Sequence, residues 1–326
     1  MKEVDSSTTV AESNSVHNRI DLGRPFENPI TTTRVSRTIT TRICPRWFRQ
    51  DLHHWWVALA LGYSVLITDG TLASAQQRVE PAESSSTHEY IVKLSVLPEY
   101  SEGTYGTGHT TQILDVPFRG DWSATDRLDL SLTIPYVWMR GRGDTTIVGG
   151  RVVHVVGLRP GQVATEDGLG DILAELDYTL LEEKGLVPDL TPFVEIKFPT
   201  ADSSRGLGTG EFDEKVGIFV TKKIVESWTA HVDLSYTFVG SPPGTALQNF
   251  FEWSVGLSYD ATSSFRLSGS VEGATAASKT QQNPLDLRFV GEYKLFNHLY
   301  LTAGGSVGLS HGSPDFTALT GIELRF

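Results

Sequence analysis

The sequence predicts an all-β fold: a transmembrane, antiparallel, up-and-down β-barrel of about twelve strands. Three observations carry that expectation. The last stretch is a strand that ends on an aromatic. A period-two pattern recurs from residue 87 onward. The connections between the stripes alternate between short and long.

The C-terminal stretch places Phe316, Ala318, Thr320, Ile322, Leu324 and Phe326 on one face, and Thr317, Leu319, Gly321, Glu323 and Arg325 on the other. Successive side chains of a strand point to opposite sides, so this is a strand with one apolar and one mostly polar face. As the edge of a soluble sheet it would invite aggregation. In a closed membrane barrel it has a partner along both edges, and its apolar face meets lipid. Strands ending on Phe resemble the assembly signal of bacterial outer-membrane barrels. That resemblance implies an assembly role for Phe326 and the barrel-assembly machinery as a partner.

Composition agrees. Hydrophobic residues make up 39 % of the 326 positions and mean hydropathy is -0.14. That is too polar for a helical membrane protein, but a barrel needs apolar side chains only at alternate strand positions. The net charge of -12 comes from acids scattered singly, without a basic stripe, so nucleic acid is not an expected partner.

The chain is expected to begin with a leader. Arg34, Arg37, Arg42, Arg46 and Arg49 precede an apolar run from Trp55 to Ile67, which gives way to Leu72-Ala73-Ser74-Ala75. A basic region, an apolar core and a small-residue cleavage site make a secretory signal peptide over 34–75. The core is shorter than the roughly 20 apolar residues that a spanning helix needs. Residues 1–33 are polar and aperiodic, a disordered extension or a start site assigned too early. Residues 76–86 form a short periplasmic segment, and 87–326 the barrel. The single cysteine, Cys44, falls in the leader, so the mature chain carries no disulfide or thiol chemistry.

The stripes follow in order. Tyr90, Val92, Leu94 and Val96 alternate with Ile91, Lys93 and Ser95. Leu128, Leu130, Leu132, Ile134, Tyr136 and Trp138 form the clearest stripe, opposite Asp129, Ser131 and Thr133. Ten more stripes of this kind, the last being the C-terminal strand, make an even number. Pro117, Pro135 and Pro192 fall inside stripes, where the missing N–H predicts bulges or strand ends. Connections such as 123–126, 260–263 and 296–298 are short. Those at 101–108, 140–165, 200–210, 240–247 and 274–283 are longer. Short periplasmic turns and long outer loops alternate in this way in outer-membrane barrels, which puts both termini on the periplasmic side. Aromatics near stripe ends, including Trp122, Tyr136, Trp138, Trp228, Tyr259, Tyr293 and Tyr300, read as interfacial belts.

Two glycine clusters, Gly168-Leu-Gly-Asp171 and Gly206-Leu-Gly-Thr-Gly210, contain G-x-G. Neither completes a nucleotide-binding loop, so tight turns account for them. Together with Lys197-Phe-Pro-Thr200 they resemble a family of outer-membrane transporters of the MetA pathway of phenol degradation. Here Ala201 stands where that pattern has a glycine after Pro-Thr. The resemblance implies uptake of aromatic or apolar solutes.

The face opposite the apolar stripes carries Asp115, Arg119, Asp129, Asp171, Glu175, Asp177, Glu195, Lys197, Lys215, His231, Asp233, Glu252, Arg266, Glu272, Asp286, Arg288, Glu292, Lys294, Glu323 and Arg325. In a barrel these line the lumen. They would form a charged wall that selects solutes, or a salt-bridged interior that holds the barrel together. Asp286, Arg288, Glu292, Lys294, Glu323 and Arg325 are the expected structural network. His231, Asp233 and Ser235 are the best material for a hydrolase, but without a nucleophile elbow. No histidine set has metal-ligand spacing. The sequence therefore reads as a passive, cofactor-free channel or transporter for small solutes, with 140–165 as its lid or constriction. The alternatives are a sealed barrel acting in surface interaction or as a structural element, and behind it a lipid hydrolase.

Overall fold

The computed structural model describes residues 91–154 and 162–326. The extension, the leader with Cys44, and residues 76–90 lie outside them.

Fourteen strands form one antiparallel sheet: β1 (Val92–Val96), β2 (Glu99–Gly103), β3 (Thr111–Thr125), β4 (Leu128–Arg142), β7 (Val163–Leu169), β8 (Ile172–Tyr178), β9 (Asp189–Phe198), β10 (Asp213–Val225), β11 (Trp228–Phe238), β12 (Phe250–Thr262), β13 (Phe265–Ala274), β14 (Leu285–Phe296), β15 (Leu299–Gly308) and β16 (Phe316–Arg325). The remaining two, β5 (Thr145–Val148) and β6 (Arg151–His154), pair only with each other. β1 and β2 are halves of one stave, and so are β7 and β8. The wall thus has twelve staves, and it closes on itself. Leu94 pairs with Leu324, and Glu102 with Phe316. Phe326 seals the seam with backbone hydrogen bonds to Ile91 and Val92. No edge strand is left, which is how an antiparallel sheet can satisfy its backbone in lipid.

Strand parity sorts the side chains. Leu94, Phe118, Trp122, Leu132, Leu176, Val255, Leu267, Phe289 and Ile322 face outward and are exposed. So continuous an apolar skin is the signature of a surface meant for hydrocarbon. The inward positions are polar and buried, among them Asp115, Glu175, Glu252, Arg288 and Thr302. Tyr300 departs from its expected belt position. It is inward, only 6 % exposed, and lies under the Arg325 guanidinium at 3.8 Å.

The prolines behave differently from the expectation. Pro117 and Pro135 stand directly opposite each other in an unbroken ladder. The neighbouring staves are interrupted instead, at Leu97–Pro98 beside Pro117 and at Gly170–Asp171 beside Pro135. A prolyl nitrogen lacks its donor only on the side it faces, so the gap falls in the strand next door. Pro192 pairs with Ile218, while the ladder to β8 stops at Phe193. The bulges lie beside four short turns, at Ser123/Thr125, Lys223/Val225, Asp260/Thr262 and Lys294/Phe296.

Short turns at 126–127, 226–227, 263–264 and 297–298 share one end of the barrel with residues 91 and 326 and with the longer connection 179–188. Loops 104–110, 199–212, 239–249, 275–284 and 309–315 share the other with residues 143–154. The first long loop is later and shorter than expected, because its stave resumes after Pro98 and runs to Gly103.

Candidate functional site

The loop end is filled by the β5–β6 hairpin. Residues opposite each other in a hairpin share a face, so Ile147 and Val152 form one side and Val148, Arg151, Thr146 and Val153 the other. The first side packs on Tyr105, Ile113, Val137, Met139 and Leu207. From the second, Val148 and Val153 pack on Phe250 and Ala277. Both apolar clusters of the described interior are therefore built around this hairpin. Polar contacts fasten it as well. Thr146 Oγ1 donates to the Gly208 carbonyl at 2.9 Å. Gln281 Nε2 donates to the carbonyls of Tyr105 and Val152, at 2.8 and 2.7 Å. Its turn, Gly149–Gly150, takes φ of 54° and 72°, the pair of positive values that a two-residue hairpin turn demands. A Cβ at Gly149 would also strike the Phe250 ring.

Beneath the hairpin are two cavities. The upper, of about 60 Å³, is walled by Ile147, Gly149 and Gly150 of the hairpin and by Lys197, Leu207 and Asp213. The lower, of about 140 Å³, is bordered by Leu97, Arg119, Glu175, Phe193, Phe219 and Glu323, among others. Asp115, Leu173, Glu195 and Lys215 border both.

The wall charges divide into local networks. Lys197 Nζ lies 3.0 Å from Asp171 Oδ2 and 2.9 Å from Asp213 Oδ2, and donates to Thr209 Oγ1 at 2.9 Å. Lys215 joins Glu252 at 3.1 Å and Glu195 at 3.7 Å, and Arg151 of the hairpin reaches Glu252 at 3.8 Å. Arg119 holds Asp121 at 2.7 Å and Glu175 at 3.0 Å. Arg288 grips both oxygens of Glu99, at 2.9 and 3.3 Å, and Glu272 at 3.3 Å. Arg325 bridges Glu292 at 2.7 Å and also holds Glu323.

The residues grouped as one structural network are thus split. Glu292, Glu323 and Arg325 meet across β15. Arg288 turns to Glu99 on β2, Asp286 accepts from Ser313 Oγ at 3.0 Å, and Lys294 lies 5.6 Å from the Tyr300 ring. Asp129 accepts from Ser123 at 2.6 Å and Arg266 pairs with Asp260 at 2.6 Å, both near the turn end. Asp177 and Asp233 also face inward. His231 points inward over Gly256, and its Nδ1 has no hydrogen-bond partner among the described residues. A relay would need a carboxylate on that nitrogen, so among the described residues His231, Asp233 and Ser235 do not form one.

Reading single stripes missed several residues. Glu99 lies beyond Pro98, where the stripe is interrupted. Phe193 and Phe219, on the polar side of their stripes, face inward and stack with centroids 4.6 Å apart. Arg151 belongs to a hairpin hidden inside a loop.

An apolar skin, a closed wall and a charged lumen stoppered by its own loop define the class: a β-barrel of the bacterial outer membrane. The chain belongs to the family described as "Putative MetA-pathway of phenol degradation", whose model matches residues 98–326. An outer-membrane channel from Pseudomonas putida F1 superposes with a TM-score of 0.60 at 13% identity, over 76% of this chain and 100% of that one. The translocator domain of the autotransporter NalP from Neisseria meningitidis scores 0.46 at 12% identity, over 72% of this chain and 88% of that chain. The CymD monoaromatic hydrocarbon channel scores 0.43 at 9% identity, over 73% and 89%. Identities this low relate folds, not substrates. No curated protein matches the sequence.

Proposed function

We propose that this barrel passes small solutes passively across the outer membrane, with the β5–β6 hairpin as its stopper and the charged residues beneath it as its filter. The observation that carries this reading is the arrangement of the lumen: two neighbouring cavities that share Asp115, Leu173, Glu195 and Lys215, beneath a hairpin that is not part of the wall. An interior meant only to hold a barrel together would be filled by side chains from the wall itself. Aromatic or apolar compounds are the favoured solutes. The family description supports that choice, and the Phe193–Phe219 stack gives such a ring a surface.

In this reading residues 34–75 direct export and the turn end with both barrel termini faces the periplasm. The loop end faces outward, and the assembly machinery reads the strand that ends at Phe326. The inward charges act as a wall rather than as catalysts. A sealed barrel is the second reading, favoured by the two apolar clusters that grip the hairpin.

Reconstitution of the full chain in a planar bilayer separates them. A version with 145–154 replaced by a short flexible linker should conduct in larger or longer steps than the parent. A folded barrel that stays silent in both forms would sink the channel reading and leave the sealed one.

A further inference from the structure

The ladder places acids directly opposite acids. Glu99 faces Asp115, and Glu175 faces Glu195. Like charges opposite each other destabilise a sheet, and more so where water is scarce. Most of these carboxylates are compensated within the protein. Arg288 takes both oxygens of Glu99, Arg119 takes Glu175, and Lys215 approaches Glu195. Asp115 is the exception. It is 4 % exposed, and its Oδ1 has no hydrogen-bond partner among the described residues. Burying an uncompensated carboxylate is expensive.

Asp115 borders the lower cavity, whose lining includes eight carboxylates against two cations, Arg119 and Lys215. The same cavity is bordered by the stacked rings of Phe193 and Phe219, with Leu97 and Leu173 beside them. Arg288, Arg151 and Arg325 reach Glu99, Glu252 and Glu323 from outside the lining, so the group left to attract a positive charge is Asp115, while the rings suit an apolar, planar body. Among the described residues no three carboxylate, imidazole or thiol side chains converge closely enough to hold a metal ion. The stacked rings beside Asp115 favour an organic cation, whose apolar body they can cover, over a bare ion.

We propose that the lower cavity is a binding site for small aromatic cations, arylalkyl ammonium ions, with the ammonium at Asp115 and the ring against Phe193 and Phe219. An ammonium donates three hydrogen bonds and can span Asp115 and a neighbouring acid such as Glu195. The inference rests on the reading of the barrel as a path for solutes, and it names the charge and shape that the path prefers.

The test is equilibrium binding to the full chain in detergent at low salt, by calorimetry, with benzylammonium as probe and benzyl alcohol, benzoate and ammonium as controls. Benzylammonium should bind at least about tenfold more tightly than benzyl alcohol, as a charge-assisted hydrogen bond implies. Benzoate should not bind detectably, and ammonium should bind weakly. Asp115→Asn should remove most of the preference over benzyl alcohol. Phe193→Leu should weaken benzylammonium and leave ammonium unchanged. Equal binding of benzylammonium and benzyl alcohol, or of benzylammonium and ammonium, would overturn the proposal, and neither comparison depends on a variant's folding. Flux into liposomes is read separately. Binding without flux keeps the site and removes the passage reading. Flux without charge preference keeps the passage and removes the site.

Discussion

Lys197 shows what the short glycine-rich motifs are for. Its ammonium lies between Asp171 of the Gly-Leu-Gly-Asp run and Asp213 at the start of β10, and it donates to Thr209 of the Gly-Leu-Gly-Thr-Gly run. Thr200 adds a second tie, donating to the Gly170 carbonyl at 2.9 Å and accepting from Ile172 N–H at 2.9 Å. A Cβ at Gly208 would crowd Asp171 and Ala201, and one at Gly170 would crowd Pro135. The motifs thus close the broken stave onto loop 199–212. Lys197→Met should cost about 3–5 kcal/mol, because it strands two buried carboxylates. The urea midpoint of the detergent-refolded barrel checks it. At the turn end, partial burial pulls Glu183 upward, but the hydrogen bonds from Lys222 Nζ and the Lys223 N–H hold its pKa below the ordinary carboxylate value. A depressed acid stabilises above its unfolded pKa, and that contribution is lost as pH falls through the lowered value. Hydrogen-exchange protection in 179–188, measured against the intrinsic rate at each pH, should drop at pH values below the ordinary carboxylate range. In Lys222→Met the drop should begin at a higher pH.

At the scale of elements, the hairpin is the part least like the rest. The staves are held by ladders on both sides. The hairpin has one internal ladder and otherwise depends on Val148, Val152, Val153 and Ile147 finding apolar neighbours and on a few polar contacts from Thr146, Arg151 and Gln281. Each fully buried Val is worth about 1.5–3 kcal/mol. Docking is thus a balance that one substitution can upset. Gly149→Val places a branched side chain at positive φ and against the Phe250 ring. It should undock the hairpin without opening the wall. The expected outcome is a higher conductance with an unchanged β-sheet circular dichroism spectrum; unchanged conductance would mean that the hairpin is not the stopper.

For the whole molecule, closure is the governing event. The seam joins β16 to β1 and β2, which are themselves interrupted at Leu97–Pro98, and Phe326 adds its backbone at the turn end. Its ring also stacks on His298 at 5.8 Å. Deleting Phe326 should lower the fraction of chains that reach the compact barrel in cells, while Phe326→Trp should restore it. Electrophoretic mobility of unheated against heated membrane samples reads the folded fraction.

The staves were legible because a wall between lipid and a polar lumen forces alternation at every step, and parity survives at Asp115, Lys215 and Arg325 alike. The long and short connections were legible for the same reason, since chain direction reverses at each turn. The hairpin was less so. Thr145–His154 reads as a loop with two valine-rich ends, and its neighbours Tyr105, Phe250 and Leu207 come from other loops and staves. The partner of each charge was also hidden. Arg288 belongs with Glu99 and not with Glu292, because the barrel's closure brings β2 close to β14. Period and parity depend on one strand and its surroundings, so the sequence alone determines which face each residue takes. Which charges meet, which carboxylate is left over, and what fills the mouth depend on curvature, closure and loop packing, and only the tertiary structure decides them.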